Sequence, residues 1–107
     1  MSAGRADHAP AFAALGDATR LAIVSKLAKD AGRSITELTE GASVTRQAIT
    51  KHLRVLQGAG LVRSERIGRE VVFQLEPGPL ATLQEYLERV SKQWDAALAR
   101  LEVHVER

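Results

Sequence analysis

The chain contains no cysteine, and that single absence removes disulfides, zinc–thiolate centres and thiol nucleophiles together. Redox chemistry is not expected, and a reducing compartment suits the composition. Nowhere do ~18 apolar residues follow one another, so no bilayer-spanning helix and no membrane partner are expected. The N-terminal "MSAGRADHAPAFAALG" has an acidic residue and a histidine where a secretory signal needs an apolar core, so the expected location is cytoplasmic. There is no glycine-rich phosphate loop and no Ser, His and acid set with supporting context, so neither a catalytic residue nor a cofactor is expected. Internal repeats, low-complexity runs and linkers are absent too. Aromatic residues number only four.

What is present is ordinary for a folded soluble protein. Hydrophobic residues make up 45% and charged residues 26% of 107 residues, which fits one domain and argues against disorder. A chain this short buries only about two thirds of the surface its unfolded form exposes, so added stability from a partner subunit is expected on size alone. Residues 1–8 read as a loose tail and residues 9–107 as the folded domain.

The net charge of +2 conceals an asymmetry. Between Ala42 and Arg69 stand Arg46, Lys51, Arg54, Arg63, Arg66 and Arg69 against the lone acid Glu65, a local net of +5; the other nine basic and twelve acidic residues give −3. Positive charge gathered in one contiguous third is the footprint of a phosphate-binding surface.

The patterning yields a succession of short elements. "APAFAALG" suggests a first helix carrying Phe12 and Leu15 and stopping at Gly16. "DATRLAIVSKLAKDAG" opens on Asp17 as an N-cap and places Leu21, Val24, Leu27 and Ala28 on one stripe before Gly32 ends it. "SITELTEGAS" reads as a short helix capped by Thr36, with Ile35 and Leu38 inward and Gly41 closing it. Thr45 then caps a helix running to about Gln57, ended by the left-handed geometry that Gly58 and Gly60 supply. After it, "LVRSERIGREVVFQL" changes period and reads as a two-stranded hairpin with Gly68 at a basic tip. A hairpin behind a helix-turn-helix is a wing. Past Pro77 and Pro79, the residues Leu80, Leu83, Leu87, Val90, Trp94, Ala97, Leu101 and Val105 recur at steps of three and four over nearly thirty residues. Such a helix approaches about 40 Å, longer than a small core needs, so part of its stripe should be covered by a second subunit. The fold class expected is mainly α with a small β-hairpin: a winged helix-turn-helix forming a homodimer through its terminal helices.

In "TRQAITKHLRVL" the exposed positions Arg46, Gln47 and Thr50 are those a recognition helix offers to base edges in a major groove, with the capping Thr45 among the residues expected at the DNA. Arginine bonds guanine bidentately, glutamine bonds adenine, and threonine offers a hydroxyl or meets a thymine methyl. Lys51 and Arg54 lie farther along and suit phosphates, which add affinity without sequence information. A basic helix face taken alone is usually just solvated surface; the capped turn, the small Ala48 and the basic hairpin in order around it favour double-stranded DNA. Arg63, Arg66 and Arg69 have a second use, since charges protect edge strands from pairing, but beside such a helix phosphate or minor-groove contact is the expected role.

Taken in order, "FAALGDATRLAIVSKL", "ITELTE" and "VTRQAITKHLRVLQGAGLVRSERIGREVVFQL" resemble the ArsR family of bacterial winged-helix transcriptional repressors, over roughly residues 9–105. The resemblance implies a homodimer through the N- and C-terminal helices, a recognition helix beginning near Thr45, and a palindromic operator. It matches His52 to a histidine usual in that helix, implying a phosphate contact or a local hydrogen bond. The interface residues it points to are Phe12, Leu15, Leu83, Leu87, Val90, Trp94, Leu101 and Val105. Trp94 reads as a core or interface anchor ahead of a ligand-stacking residue.

Departures from the family are informative. Metal-sensing members carry a cysteine motif in the helix before the recognition helix, where this chain has "ELTEGA". Others use paired histidine and carboxylate ligands on the C-terminal helix, which here holds one histidine, His104, among Asp95, Glu102 and Glu106. No metal site is expected, and an inducer, if one exists, is not identified by the residues. The rival to a DNA-binding regulator is a winged-helix module for protein contact without specific DNA binding. Salt separates them, because only a phosphate-binding face loses affinity steeply as salt rises.

Overall fold

The computed structural model describes residues 7–30 and 32–105, the side chains of 103–105 excepted. The expected positions His104 and Val105 therefore carry no side-chain description. The chain divides into two units, one ending at Pro77 and the other running from Gly78.

The first unit holds α1 (Ala9–Leu15), α2 (Ala18–Lys29), β1 (Arg33–Ser34), α3 (Ile35–Thr39), α4 (Arg46–Gly58), β2 (Val62–Ile67) and β3 (Glu70–Leu75). Asp17 caps α2, its carboxylate accepting from the Arg20 amide at 3.0 Å. The buried residues of α2 are Ile23 and Leu27, while Leu21 is 53% exposed and Ala28 lies outside too. This corrects the stripe expected from spacing. Four consecutive apolar residues, Leu21 to Val24, leave the helical phase undetermined until packing selects it. The helix also ends earlier than expected, at Lys29, and Gly32 serves the following link with φ +71°.

The cap of α3 is Ser34 and not Thr36. Its hydroxyl accepts from the Glu37 amide at 3.2 Å while the Glu37 carboxylate accepts from the Ser34 amide at 2.9 Å, a reciprocal capping box. Lys26 donates to the carbonyls of Leu38 and Glu40 at the other end, both at 3.4 Å, which ties that end of α3 to α2. Gly41, with φ +72°, turns the chain toward α4. There Thr45 accepts from the Ala48 amide at 3.1 Å as expected, a cap worth ~1 kcal/mol.

Helix α4 is sharply two-faced. Ile49, Leu53 and Leu56 are no more than 1% exposed and join Ala14, Ile23, Leu27, Leu38, Leu61, Val62, Val72 and Phe73 in the core. Gly60 takes the left-handed conformation after the helix, whereas Gly58 is its last residue with no positive φ, a correction to the paired role expected.

The sheet is three-stranded in the order β1-β3-β2, all antiparallel, so the expected hairpin gains a two-residue strand. Two residues are too few to show a period in the sequence. Ile67 pairs with Glu70, leaving Gly68 and Arg69 as the loop. Gly68 has φ +64° and Arg69 no positive φ, the signs a type II′ hairpin turn requires.

The second unit is the continuation of α5 (Pro77–Val105), a single 29-residue helix. Along it Leu83 is buried, Leu80 and Val90 are half-buried, and Leu87, Trp94, Leu98 and Leu101 are 41–59% exposed. No helix among the described residues is long and apolar enough to cross a membrane.

Candidate nucleic-acid interface

With Ile49, Leu53 and Leu56 committed to the core, the opposite face of α4 is set by geometry. Gln47, Lys51 and Arg54 fall within an arc of about 60° on the helix and all three are exposed. None has a hydrogen-bond or ion-pair partner among the described residues. Exposed, unpaired cationic and amide groups along one face of a helix are what a groove-reading element must present.

The remaining expected residues of α4 are engaged inside the fold to different degrees. Arg46 is exposed but donates through Nη1 to the Thr36 hydroxyl at 2.8 Å, turning its guanidinium toward α3. Thr50 is half-buried and its hydroxyl donates to the Arg46 carbonyl at 3.0 Å. His52 is also half-buried, its Nδ1 lying 3.1 Å from Nη1 of Arg20 and 3.8 Å from the Asp17 carboxylate. Of the two roles expected for His52, the local hydrogen bond is therefore present.

The three wing arginines part company. Arg63 donates to Glu76 at 2.8 Å and to the Gln74 side-chain oxygen at 3.1 Å, and Gln74 in turn donates to Glu65 at 3.2 Å. Its charge is spent within the sheet. Side chains alternate along a strand, so Arg66 lies on the other face of β2 from Arg63; it is exposed, as is Arg69 in the loop. Neither forms an ion pair among the described residues. Arg69 also lines a cleft with Ser34, Ile35, Thr36, Arg46, Glu70 and Val71. The fold thus brings Arg46 and Arg69 to one cleft, though they stand 23 positions apart in the chain.

Sequence reasoning missed Arg20 altogether and saw Asp17 only as a cap. The Arg20 amide, which donates to Asp17, holds that carboxyl below its ordinary value of 3.8 against a smaller opposing effect of desolvation. The aspartate therefore stays ionised beside Arg20 and His52. Among the described residues no group of histidines and carboxylates has a metal-holding arrangement.

A helix-turn-helix domain family matches residues 15–65. The HTH-type transcriptional regulator YuzN of Bacillus subtilis is 46% identical over 62% of this chain and 80% of its own length. The HTH-type transcriptional regulator Rv2034 of Mycobacterium tuberculosis is 41% identical over 82% of this chain and 78% of its own. An ArsR-like transcriptional regulator from Rhodococcus sp. RHA1 superposes with a TM-score of 0.71 at 41% identity, covering 87% of each chain. The chain belongs to the ArsR family of winged helix-turn-helix regulators. As a member of that family it is a DNA-binding transcriptional regulator and not an enzyme. The ArsR fold accounts for what the geometry shows: α3 and α4 are its helix-turn-helix, and β2 with β3 its wing.

Proposed function

We propose that this ArsR-family protein is a cytoplasmic repressor that binds a palindromic operator as a homodimer, with residues 9–107 supplying both DNA binding and dimerisation. The observation that carries the reading is the stripe of Gln47, Lys51 and Arg54, exposed and without a side-chain partner among the described residues, on a helix whose other face is locked into the core. Gln47 reads a base edge, joined by Thr50 through its methyl and by Thr45 at the helix start. Lys51 and Arg54 take phosphates. Arg46, tied to Thr36 and sharing a cleft with Arg69, serves the backbone there in place of the base edge expected from the sequence. Arg66 and Arg69 extend the contact through the wing, while Arg63 holds the wing together.

Dimerisation rests on α5. Leu80, Leu87, Trp94 and Leu101 recur every seven residues, and the last three are exposed, the pattern of a helix that packs on another copy. Phe12 and Leu15 of α1, both half-buried, add to that interface. Dimeric symmetry in turn sets half-sites about one helical turn of DNA apart. A homodimeric winged helix-turn-helix domain from Mycobacterium bovis shares the fold at a TM-score of 0.63 and 22% identity. An inducer that releases the DNA would complete the regulator.

Selection from randomised duplexes, followed by affinity measurements across a salt series, tests the proposal. The expected outcome is an enriched inverted repeat whose binding weakens with salt at a slope of about −0.9 per phosphate neutralised. No enrichment, or salt-independent association, would point to a protein-binding module instead. Reporter transcription that rises when the gene is deleted identifies a repressor.

A further inference from the structure

The contact between α2 and α4 fixes more than the helices' separation. Arg20 uses three of its groups at once: its amide donates to Asp17, its Nε to the Ala14 carbonyl, and its Nη1 faces Nδ1 of His52 at 3.1 Å. A guanidinium has only donors and keeps its charge in proteins, so the imidazole nitrogen opposite it must be the acceptor. Asp17, an acceptor, competes for the opposite arrangement with a proton on Nδ1, but stands farther off at 3.8 Å. The shorter contact and the obligate donor decide the proton's place.

We infer that Arg20 is a positioning residue for the recognition helix, holding His52 in the tautomer with the proton on Nε2 and so fixing the middle of α4 against the start of α2. The inference rests on the geometry for the tautomer and on the DNA-binding reading above for its effect on operator affinity. Acceptor geometry at Nδ1 also orients the ring, because a hydrogen bond at one imidazole nitrogen sets what the other presents. The carboxylate of Asp17 balances the cation of Arg20 without taking the ring nitrogen. Three elements meet at the site: the end of α1 through Ala14, the start of α2 through Asp17 and Arg20, and the middle of α4 through His52.

Imidazole nitrogen-15 chemical shifts of the free protein, recorded where His52 is neutral, read the tautomer directly. The expected spectrum has an unprotonated Nδ1 and a protonated Nε2; the reverse assignment overturns the inference without any variant being made. Arg20→Met should then yield a mixture of tautomers or the proton on Nδ1 toward Asp17, with operator affinity reduced about tenfold, the effect of losing a charge-assisted hydrogen bond. Arg20→Lys, which keeps a cationic donor, should restore the tautomer and most of the affinity. A folded Arg20→Met protein with unchanged tautomer overturns Arg20 as the cause. Wild-type protein with the Nε2 proton but no affinity for any duplex overturns the DNA-binding reading and leaves the tautomer assignment standing.

Discussion

Arg63 and Gln74 face each other in the β2–β3 register, and the guanidinium of Arg63 spans from the Gln74 side-chain oxygen at 3.1 Å to the Glu76 carboxylate at 2.8 Å. An arginine so occupied is a poor phosphate ligand, whereas Arg66, three residues on, has no such partner among the described residues. Arg66→Ala should therefore weaken all duplexes alike and flatten the salt dependence by about one unit of slope. Arg63→Ala should leave that slope unchanged and cost under ~1 kcal/mol of stability, as an exposed ion pair implies. Equal effects on the salt slope would sink the division of labour within the wing.

Specificity and affinity should separate in the same way on α4. Losing a base contact at Gln47 costs about 1–3 kcal/mol and relaxes choice at one base pair, while Lys51→Ala weakens every sequence equally. Competition with operator variants distinguishes the two. Uniform weakening by Gln47→Ala would show that it reads no base.

The limits and face of α4 were legible because each signal agrees: a threonine cap, one unambiguous apolar phase at Ile49, Leu53 and Leu56, and a glycine beyond the end. The phase of α2 was not, since consecutive apolar residues satisfy two stripes equally. The α3 cap had a signal that the spacing did carry, Ser34 with Glu37 three residues on, against Thr36 with a threonine at the same distance. Within the candidate interface, residue types were legible but their occupancy was not. That Arg63 is spent, that Arg46 leans on Thr36 and that His52 meets Arg20 across 32 positions are all consequences of tertiary pairing, which no local pattern encodes.

The two hydroxyls at the start of α3 offer a clean contrast. Ser34 is 7% exposed and half of a capping box, so Ser34→Ala should cost about 1–2 kcal/mol and lower Tm by roughly 4–8 °C per kcal/mol. Thr36 is exposed and bonded to Arg46, so Thr36→Ala should barely move Tm yet weaken DNA binding. Calorimetry beside binding measurements checks both. A reversal of the two effects would return the cap to Thr36.

Asp17 gives a pH dependence with a definite sign. Its folded-state pKa lies below the ordinary 3.8 because the Arg20 amide donates to the charged form. A depressed carboxylate pKa contributes stability that is present above the ordinary value and lost as pH falls through the folded one. Asp17→Asn keeps a capping acceptor but removes the charge, so it should be less stable than wild type at neutral pH, with the gap starting to close near pH 3.8 and closing as pH falls through the lower folded-state value. Denaturant midpoints across that range measure the difference. A gap that stayed constant with pH would exclude linkage through this carboxyl.

Burial along α5 supports an association test. Replacing Trp94 and Leu101 together with glutamate puts charge where two exposed apolar side chains, 55% and 59% accessible in the single chain, are assigned to meet a second copy. Light scattering should show wild-type dimer and variant monomer, with circular dichroism confirming that the variant keeps its helices. A folded variant of unchanged dimeric mass would place the interface elsewhere.

Operator binding should not depend on zinc or another transition metal. A tight site needs about four ligands of suitable softness and geometry, and this chain has no thiol, with histidines only at positions 8, 52 and 104. His52 already faces Arg20, a cation that opposes a metal at the same nitrogen. His8 precedes α1 and His104 lies near the end of α5, so no two of the three share a helical turn. The arrangement that escapes this argument is His104 set beside carboxylates of a second copy's α5. Titrating zinc into protein and operator at fixed pH and ionic strength covers it. Affinity should stay constant through stoichiometric metal, and release of DNA by wild type but not by His104→Ala would make α5 a sensor and overturn the expectation.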